Sequence, residues 1–450
     1  MPNLFDLIVL GSGPAASRVV SHCAKSGWKI AVVDPNPVGG TCALHGCNPK
    51  KVLVRAAELV DRAHRMAGSG TKLDTAEIHW PDLVCFKRTF TEPVTPNRRD
   101  AYHELGVEII QARPRFVGPT KIDVGDRTIE ARHIVIATGA QPRKLAFEGV
   151  EYLTHSDQFL ELDYLPDRMT IIGGGYIGFE FAHVVARAGT KVKIVDQSDP
   201  LASFDRDLVN RLVDCSKTVG IEVQSHTEVQ SIRRDEDGNF HLAMLGDHGV
   251  QTHETDLVVH AAGRVANVHG LNLEAAGIEY SERGIVVNDY FQCPNNPAVY
   301  AAGDVVESGL PALTPVANYQ GITVANNLLE GNLFKNEYPV VPRAVYTVPS
   351  LACVGMTEAQ AKEAQLNLKI NCDDWSHFSS MKKVGETHAM YKVLIDKDTD
   401  QIVGAHLLGP ESAELINIFV LAMKMGATTS TLKTMPFVFP TFVADLKSML

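Results

Sequence analysis

The stretch LIVLGSGPAASRVVSHCAKSGWKIAVVD, residues 7–34, decides the fold of this chain, and TIIGGGYIGFEFAHVVARAGTKVKIVD, residues 170–196, repeats its pattern without gaps. Each stretch reads as a buried strand, a glycine turn, a helix with small residues toward the sheet, and a second strand that ends in a carboxylate. The matched positions are Gly11 with Gly173, Gly13 with Gly175, Ala16 with Gly178, Gly27 with Gly189, and Asp34 with Asp196. The sequence therefore predicts two βαβ units.

The residue types in these repeats are those that dinucleotide binding requires. The first glycine permits a tight turn, the second lets the backbone approach a pyrophosphate, and the third position must be small so that helix and strand pack closely. The phosphates then lie at the positive end of the helix, and the acid accepts hydrogen bonds from the adenosine ribose. One such fingerprint is a weak signal, but two in register are a strong one. They predict two different dinucleotides, with electron transfer between a flavin and a nicotinamide.

The acid of the second repeat bears on the choice of nicotinamide cofactor. A carboxylate at Asp196 favours a free 2'-hydroxyl and repels a 2'-phosphate, and the following QSDPLASFD contains no arginine. The sequence therefore predicts NADH over NADPH. In the alternative interpretation, Asp196 only ends the strand and a more distant arginine such as Arg206 binds the phosphate.

A close cysteine pair follows the first repeat, in GGTCALHGCNPKK, residues 39–51. In an unbroken helix, Cys42 and Cys47 would exceed the Cα separation of about 4.4–6.8 Å that a disulfide tolerates, so we expect a distorted turn, with help from Gly46. A helix start and a nearby lysine, Lys50, favour thiolate, so we expect this redox-active pair to ionise readily. The alternatives are two structural cysteines or half a zinc site that includes His45.

The composition excludes several other classes of protein. At 450 residues, two or three domains are expected, and 45% apolar and 21% charged residues indicate a folded globular chain. The formal charge of -11 disfavours nucleic acid as a partner. No signal peptide and no window long enough to span a membrane is found, so a cytoplasmic location is expected. Eight scattered cysteines do not form a secreted disulfide framework.

An ordered series of further motifs runs along the chain. These are GGTC-x4-C-x-PK, IVIATGAQP at 134–142, GGGYIGFE, VVHAAGRVAN around Gly263, VYAAGDV at 299–305, LTPVANYQG, and YTVPSLACVGMTEAQA at 346–361. In this order they resemble the flavoprotein disulfide reductases, the class I pyridine nucleotide-disulfide oxidoreductase group that includes glutathione reductase, dihydrolipoamide dehydrogenase and mercuric reductase. The resemblance runs nearly from end to end.

The resemblance implies a role for several side chains. Cys42 is the expected interchange thiol, which meets the substrate, and Cys47 is the thiolate against the flavin. Lys50 and Glu180 are the expected ion pair beside flavin N5, and Tyr176 is the ring that covers the flavin until the nicotinamide displaces it. The expected cofactor-binding residues are Gly11, Gly13, Ala16, Asp34, Gly40, Thr41, Lys51, Thr138, Gly139, Gly173, Gly175, Tyr176, Gly178, Asp196, Gly263, Gly303 and Asp304, the last holding the FAD ribityl chain; no resident metal site is expected.

The resemblance also implies the domain layout of an α/β protein with two Rossmann-like dinucleotide-binding domains and a C-terminal α+β dimerisation domain. The expected segments are 1–146 and 265–338 for FAD, 147–264 for NAD, and 339–450 for a domain that forms a homodimer. The local pattern agrees, since VVPRAVYTV, HAMYKVLID and QIVGAHLL are strand-like and ELINIFVLAMKMG is helical, ending at Gly426.

The family pattern breaks near the C-terminus. Disulfide-reducing relatives present His-Pro-Thr followed by a Glu, which act as acid and base for the partner subunit's interchange thiol. Here Phe439 stands in place of the His and Ala444 in place of the Glu, while Pro440 and Thr441 keep the register. Asp445 is one position late and is not expected to substitute. Phenylalanine cannot move a proton, and such help is typically worth about 10² to 10⁴ in rate.

Three functions remain open on the sequence. The first is an enzyme that reduces an acceptor needing no protonated leaving thiolate, such as a soft metal ion, a quinone-like compound or a small disulfide. Mercuric reductase also lacks the His, which favours a metal. The absence of that enzyme's C-terminal cysteine pair and N-terminal extension disfavours mercury. The others are a flavin and dithiol redox sensor with little turnover, and an ordinary disulfide reductase whose acid-base chemistry lies elsewhere.

Overall fold

The computed structural model describes residues 4–70, 72, 75–337 and 340–450, and these form two compact units. The first unit takes its described residues from 1–50, 86–143 and 263–337, and the second from 51–85, 144–262 and 338–450. The predicted α/β class, with two Rossmann-like units and a C-terminal α+β domain, is confirmed. The finer division into four domain segments stays a prediction.

The described residues form α-helices and β-strands along the whole chain. The helices are α1 Pro14–Lys25, α2 Gly40–Leu44, α3 Cys47–Met66, α4 Trp80–Thr91, α5 Val94–Glu104, α6 Ser156–Phe159, α7 Tyr176–Arg187, α8 Arg206–Thr218, α9 Thr314–Glu330, α10 Glu358–Glu363, α11 Ser379–Lys382, α12 Ser412–Lys424, α13 Thr429–Thr434 and α14 Leu446–Met449. The strands are β1 Leu4–Leu10, β2 Ile30–Val33, β3 Glu108–Ile110, β4 Arg115–Gly118, β5 Lys121–Asp123, β6 Thr128–Ile136, β7 Ala140–Pro142, β8 Thr154–His155, β9 Arg168–Ile172, β10 Lys191–Val195, β11 Ile221–Gln224, β12 Glu228–Arg234, β13 Phe240–Gly246, β14 Gly249–Thr255, β15 Leu257–His260, β16 Arg264–Ala266, β17 Tyr280–Ser281, β18 Gly284–Ile285, β19 Gln292–Cys293, β20 Asn296–Ala301, β21 Arg343–Val345, β22 Ser350–Gly355, β23 Leu368–Asp374, β24 Met390–Asp396 and β25 Gln401–Gly409.

The first unit is built on the first predicted βαβ repeat. Strands β1 and β2 pair in parallel, with Leu7 opposite Ile30, and α1 connects them. The sheet order is β19-β20-β6-β1-β2-β3, so strands from distant parts of the chain share one sheet. Helix α9 packs on α1 so closely that a Cβ at Gly321 would lie 2.5 Å from the carbonyl oxygen of Ala15. The run Leu7–Leu10 of β1 and all four residues of β2 are buried, as is usual for strands within a parallel sheet.

The second unit contains the second repeat and the C-terminal domain. Strands β9 and β10 pair in parallel, with Ile171 opposite Ile194, within a parallel sheet of order β11-β10-β9-β15-β8. Strands β12, β13 and β14 form an antiparallel sheet, and the C-terminal sheet has the order β21-β22-β25-β24-β23. Helix α12 packs against β22 and β25. No helix of the described residues is both long enough and apolar enough to cross a bilayer.

The C-terminal elements agree with the sequence except at one strand. HAMYKVLID and QIVGAHLL form β24 and β25, and ELINIFVLAMKMG lies in α12, after which Gly426 takes the left-handed φ of +64°. The run VVPRAVYTV forms a strand only over Arg343–Val345. Pro342 lacks the amide proton that a longer ladder requires, so the predicted strand was too long.

Candidate active site

The two glycine turns have the same backbone geometry. Gly11 has φ +102°, and a Cβ there would lie 2.3 Å from the carbonyl oxygen of Ala137. Gly173 has φ +112°, and a Cβ there would lie 2.3 Å from the carbonyl oxygen of Ala261. Both positions therefore require glycine for two reasons, the left-handed backbone and the close approach of the next parallel strand.

The second glycine of each turn leaves the helix start accessible. Gly13 caps α1 and Gly175 caps α7, each without a side-chain hydrogen bond to the first turn. A Cβ at Gly13 would meet nothing within 4 Å, so the space beside the α1 amides is open. At the third position Ala16 is fully buried, and a Cβ at Gly178 would lie 2.3 Å from the carbonyl oxygen of Gly173. Such a cradle fits a pyrophosphate at the positive end of each helix.

The carboxylate that ends each repeat accepts hydrogen bonds from the glycine turn of the same repeat and from the loop that follows the carboxylate. Asp34 accepts hydrogen bonds from the hydroxyl of Ser12 at 2.7 Å and the amide of Asn36 at 2.9 Å. Asp196 accepts from the amide of Gly174 and from both the amide and hydroxyl of Ser198. These contacts hold each acid at the end of its strand beside the helix start, where the sequence predicted the adenosine ribose.

The surroundings of Asp196 are acidic. Arg206 is the residue that the alternative interpretation assigned to binding a 2'-phosphate. Its side chain lies 3.8 Å from the carboxylate of Asp199. It also donates hydrogen bonds to the carbonyl of Pro200 and the side chain of Asn210. A cavity of 450 Å³ opens next to Gln197, and its lining includes Glu228, Asp247 and His226, whose Nε2 lies 3.3 Å from the carboxylate of Asp199.

The cysteine pair lies on two helices rather than on one. Helix α2 ends before His45, and α3 begins at Cys47, so the chain breaks where the sequence predicted a distorted turn. A Cβ at Gly46 would lie 2.9 Å from the carbonyl oxygen of Thr41, which explains the glycine. Both cysteines are thiols in the structure. The hydroxyl of Thr314, the first residue of α9, donates to Cys42 Sγ at 3.0 Å and contacts Cys47 Sγ at 3.5 Å.

The two thiols interact with each other, and this interaction raises the pKa of Cys42 far above its ordinary value. The expectation that the pair ionises readily, with Cys47 as the thiolate, stays a prediction. The largest cause is the hydrogen bond with Cys47, followed by burial and by the charge of Cys47, while the hydroxyl of Thr314 lowers the pKa. Two neighbouring thiols resist double ionisation because the second negative charge is repelled by the first.

The residues expected beside the flavin N5 fall in different units. Lys50 is the last residue of the first segment of unit one, and Glu180 belongs to the second unit, so their ion pair stays a prediction. Glu180 is buried and accepts a hydrogen bond from the amide of Tyr346 at 2.8 Å. Lys51 Nζ lies 3.8 Å from the centre of the Tyr346 ring. Tyr176 is the first residue of α7 and is 45% exposed, and its expected role as a ring over the flavin stays a prediction.

Other expected cofactor-binding residues gather around the first glycine turn. A Cβ at Gly40 would lie 2.4 Å from Gly13 Cα, which brings Gly40 and its neighbour Thr41 to this turn. The amide of Gly303 donates to Gln320 Oε1 at 2.7 Å, and burial raises the pKa of the adjacent Asp304, which the charge of Arg264 partly offsets.

The loop after β6 is tied to the loop after β16. Thr138 donates its hydroxyl proton to the carbonyl oxygen of Asn267 at 2.7 Å, and the Asn267 amide donates to the Gly139 carbonyl at 2.9 Å. Gly263 takes a left-handed φ of +97°, and its carbonyl oxygen accepts from the Arg143 amide at 3.0 Å. The first of these loops follows directly on the C-terminal end of β6.

Asp445, which was not expected to act as a replacement base, is hydrogen-bonded within the C-terminal segment of the chain. Its carboxylate accepts hydrogen bonds from Trp375 Nε1 at 2.9 Å and from the hydroxyl of Ser380, so it is held inside its own domain. Phe439, in place of the family's His, is 83% exposed.

Sequence reasoning did not assign four residues that the structure places in or around these sites. They are Thr314, Gln320, Tyr346 and Arg264. Thr314 and Gln320 lie within the quoted motif LTPVANYQG, so the signal was present, although a motif does not reveal which atoms its side chains contact.

Comparison with known proteins gives matches along the whole chain. The family described as pyridine nucleotide-disulphide oxidoreductase matches residues 5–321, and its dimerisation domain matches residues 341–450. Glutathione reductase of Burkholderia cepacia is 30% identical over 446 residues, which cover 99% of this chain and 98% of that protein. Mercuric reductase of Staphylococcus aureus is 31% identical over 435 residues, which cover 95% and 78%. The Cu(II) complex of the HOCl-induced flavoprotein disulfide reductase RclA from Escherichia coli superposes with a TM-score of 0.89 at 25% identity, covering 99% of both chains.

Proposed function

Because this chain belongs to the pyridine nucleotide-disulphide oxidoreductases, we propose that it carries electrons from NADH through FAD to the Cys42/Cys47 pair and on to copper(II). The chain is an oxidoreductase of a family that is FAD-dependent and uses pyridine nucleotides.

The main support for the proposal is that the thiols of Cys42 and Cys47 both contact the hydroxyl of Thr314. Cys42 and Cys47 both contact Thr314, so their sulfurs point into one small space. Thiolates are soft ligands that prefer copper(I) to copper(II), so a dithiol site binds the product state more tightly than the substrate state. Such differential binding favours reduction of the bound ion.

In the proposed reaction the residues of the chain bind the cofactor, and the cofactor supplies the redox chemistry. FAD, when bound, accepts a hydride as an electron pair and can release it in single-electron steps. The glycine turn around Gly11 and Gly13 would hold its pyrophosphate, Asp34 its ribose and Asp304 its ribityl chain. In the net reaction one NADH and two copper(II) ions yield NAD⁺, one proton and two copper(I) ions, so charge and electrons balance.

The altered C-terminal segment supports a metal acceptor over a disulfide. Reduction of a disulfide releases a thiolate that needs a proton, whereas reduction of a metal ion does not. Residues 427–450 contain no histidine, and the carboxylate of Asp445 is bound by Trp375 and Ser380. Two relatives by similarity, a mercuric reductase and a protein solved as its Cu(II) complex, have names that mention soft or borderline metal ions.

The acidic setting of Asp196 supports NADH as the electron donor. Arg206 is bound to Asp199 and Asn210, and the cavity beside Gln197 is lined by Glu228, Asp247 and His226, which itself lies against Asp199. A 2'-phosphate would have to displace these contacts and accept like-charge repulsion.

We further propose that the chain acts as a homodimer. The dimerisation domain of the family matches residues 341–450, and the exposed Phe439 lies within that range. In this arrangement Phe439 would cover the partner's dithiol with an apolar ring instead of an acid-base pair, and a charged tripeptide would be excluded.

The test is an anaerobic assay of NADH oxidation with copper(II), in which copper(I) is trapped by a coloured chelator. We expect saturable turnover with two copper(I) ions trapped per NADH, loss of turnover in Cys42→Ser, and little activity with glutathione disulfide. Phe439→His serves as the second variant, expected to leave copper turnover in place. Fast reduction of glutathione disulfide by the wild type, or copper turnover unchanged in Cys42→Ser, would overturn the proposal.

A further inference from the structure

The loop 197–205 lies between β10 and α8 and forms a wall of the glycine turn in the second repeat. The amide of Leu201 donates a hydrogen bond to the carbonyl oxygen of Gly174 at 2.9 Å. A Cβ at Gly174 would lie 3.1 Å from Pro200 Cβ and 3.1 Å from Asp196 Oδ2, so the loop and the acid both lie against this turn. The loop therefore borders the space in which the ribose and pyrophosphate of the nicotinamide dinucleotide are proposed to bind.

The loop contains a backbone conformation that its own residues do not favour. Leu201 has a φ of +48°, in the left-handed region that a leucine rarely adopts. Such a conformation persists only where the surrounding structure enforces it. Leu201 is buried, and its carbonyl oxygen accepts a hydrogen bond from the amide of Phe204 at 2.9 Å. Contacts at the Phe204 end of the loop therefore help to keep Leu201 against the glycine turn.

A lysine and an arginine of the C-terminal sheet hold that end of the loop. Lys392 of β24 places its Nζ 2.9 Å from Oδ1 of Asp205, the last residue of the loop, and only 3% and 4% of the two side chains are exposed. Arg343 of β21 lies with its guanidinium carbon 5.1 Å from the centre of the Phe204 ring. Asp205 also caps α8, because its carboxylate accepts from the amide of Asp207 at 3.2 Å. One buried ion pair thus fixes both the end of the loop and the start of α8.

The Lys392–Asp205 pair is the buried part of a larger group of charges. Lys392 Nζ also lies 2.6 Å from Asp207 Oδ2 and 2.9 Å from Glu358 Oε2, and these two acids are 56% and 25% exposed. Burial alone would lower the pKa of Lys392, but hydrogen bonds to the acids outweigh burial and raise it, so the side chain stays charged. Without this cation the buried carboxylate of Asp205 would be costly, and movement toward water would relieve that cost. Such a movement would carry the loop away from the glycine turn.

We infer that Lys392 is a positioning residue for the nicotinamide dinucleotide, because through Asp205 it keeps the 197–205 loop against the glycine turn of the second repeat. The dinucleotide binds beside one end of the loop, and a strand of the C-terminal domain fixes the other end. Lys392 acts through Asp205 and not on the reacting atoms, so its loss weakens binding and leaves hydride transfer from the bound cofactor unchanged. The inference rests on the proposed function in that the second repeat binds the nicotinamide dinucleotide.

The test measures equilibrium binding of ADP-ribose to the FAD-loaded protein by titration calorimetry, well below the thermal midpoint of each variant. ADP-ribose carries the pyrophosphate and the adenosine ribose but cannot donate a hydride, so neither electron transfer nor copper enters the measurement. Lys392→Met removes the cation at similar length, and Asp205→Asn removes the buried anion but keeps an acceptor that caps the helix. Glu358→Gln is the matched control, because Glu358 contacts the same nitrogen but belongs to α10 and not to the loop.

We expect the Kd for ADP-ribose to rise by about tenfold in Lys392→Met, as follows if the loop holds its binding conformation for about a tenth of the time. Asp205→Asn should also weaken binding, whereas Glu358→Gln should bind ADP-ribose as the wild type does. In anaerobic stopped-flow reduction of the flavin, Lys392→Met should need a higher NADH concentration for half-saturation but should reach the wild-type limiting rate.

Wild-type affinity for ADP-ribose in folded Lys392→Met would overturn the inference, and if that variant does not fold, wild-type affinity in Asp205→Asn would do so. An equal loss in Glu358→Gln would also overturn it, because the effect would then come from a general loosening of the C-terminal domain. Failure of copper turnover would overturn the proposed acceptor and leave this result intact. If the wild type binds the 2'-phosphate of ADP-ribose more tightly, the preference for NADH is wrong, and the same variants are compared with that ligand.

Discussion

Arg187 binds Asp61 through two nitrogens, with Nη2 at 2.7 Å and Nε at 3.0 Å from the same Oδ1. Both side chains are largely buried in the second unit, with 5% and 12% exposed. Arg65 binds the other oxygen of Asp61 at 2.7 Å, and Arg187 also donates to the carbonyl of Val348. The pair therefore joins α3, whose first residue is Cys47, to α7, whose first residue is Tyr176.

Removing one partner of this buried pair should be strongly destabilising. Arg187→Met leaves the Asp61 carboxylate short of its main partner, a loss that costs about 3–5 kcal/mol in buried pairs. We expect the thermal midpoint to fall by several degrees, measured by circular dichroism. The matched control is Arg55→Met, because Arg55 is 56% exposed and its bridge to Glu58 is worth about 1 kcal/mol or less. Equal shifts for the two variants would contradict the prediction.

We expect glycine to be required at position 11 because a side chain there would clash with the backbone, and a variant of Gly27 serves as the control. Gly11→Ala places a Cβ 2.3 Å from the Ala137 carbonyl oxygen at φ +102°, so the turn must open. Gly27→Ala has a similarly left-handed φ of +82° but meets nothing within 4 Å. We expect Gly27→Ala to cost about 1 kcal/mol and Gly11→Ala at least about 3 kcal/mol, with loss of flavin absorbance in the purified protein. Equal flavin content in the two variants would refute the steric explanation.

These glycines show what the sequence could predict about the fold. The repeat around Gly11 and Gly173 fixed both βαβ units because a positive φ and a close backbone contact leave glycine as the sole choice. The same pattern could not predict that Gly321 brings α9 against Ala15, since that contact joins residues far apart in the chain. The length of the strand in VVPRAVYTV was overestimated, because the prediction followed the apolar residues of this run and neglected that Pro342 has no amide proton to donate.

The preference for NADH should depend on the charge of Asp196. Asp196→Asn keeps the size of the side chain and one acceptor oxygen, which can serve either Gly174 or Ser198 but not both, and it removes the repulsion of a 2'-phosphate. We expect the ratio of kcat/KM for NADPH over NADH to rise by about tenfold, because the variant removes one charge that repels the 2'-phosphate. A tenfold change corresponds to about 1.4 kcal/mol of relieved repulsion. Asp34→Asn is the control, because it is the matched acid of the first repeat and should leave the ratio unchanged. A wild type that prefers NADPH would contradict the prediction.

Acid should weaken the protein partly through Glu358. Lys362 and Lys392 donate hydrogen bonds to this carboxylate and lower its pKa to about 2. A folded-state pKa below the unfolded value means that the stabilisation is present above about pH 4.3 and is lost as the pH falls toward 2. We expect Glu358→Gln to reduce the fall in thermal midpoint between about pH 5 and pH 2. Glu363→Gln, an exposed acid of the same helix, is the control and should retain the wild-type slope.

The candidate site shows where sequence reasoning ended. Cys42 and Cys47 were identifiable from their spacing and their position after the first repeat, because a thiol pair at a helix start has few other uses. Thr314 was not, since its contact with both sulfurs depends on the placement of a helix more than 260 residues away, as the separations of 267 and 272 residues show. The raised pKa of Cys42 could not be predicted either, because the effect of the neighbouring Cys47 thiol cannot be read from helix position and a nearby lysine.

The most direct measurement is a thiol count during one anaerobic redox cycle. The oxidised, FAD-loaded protein is mixed with one equivalent of NADH, quenched with an alkylating reagent and mapped by mass spectrometry; a second sample receives copper(II) before the quench. We predict that Cys42 and Cys47 become alkylated after NADH and are protected again after copper(II), while the other cysteines do not change. NADH that bleaches the flavin without exposing these two thiols, or copper(I) that forms while both stay reduced, would contradict the proposed electron path.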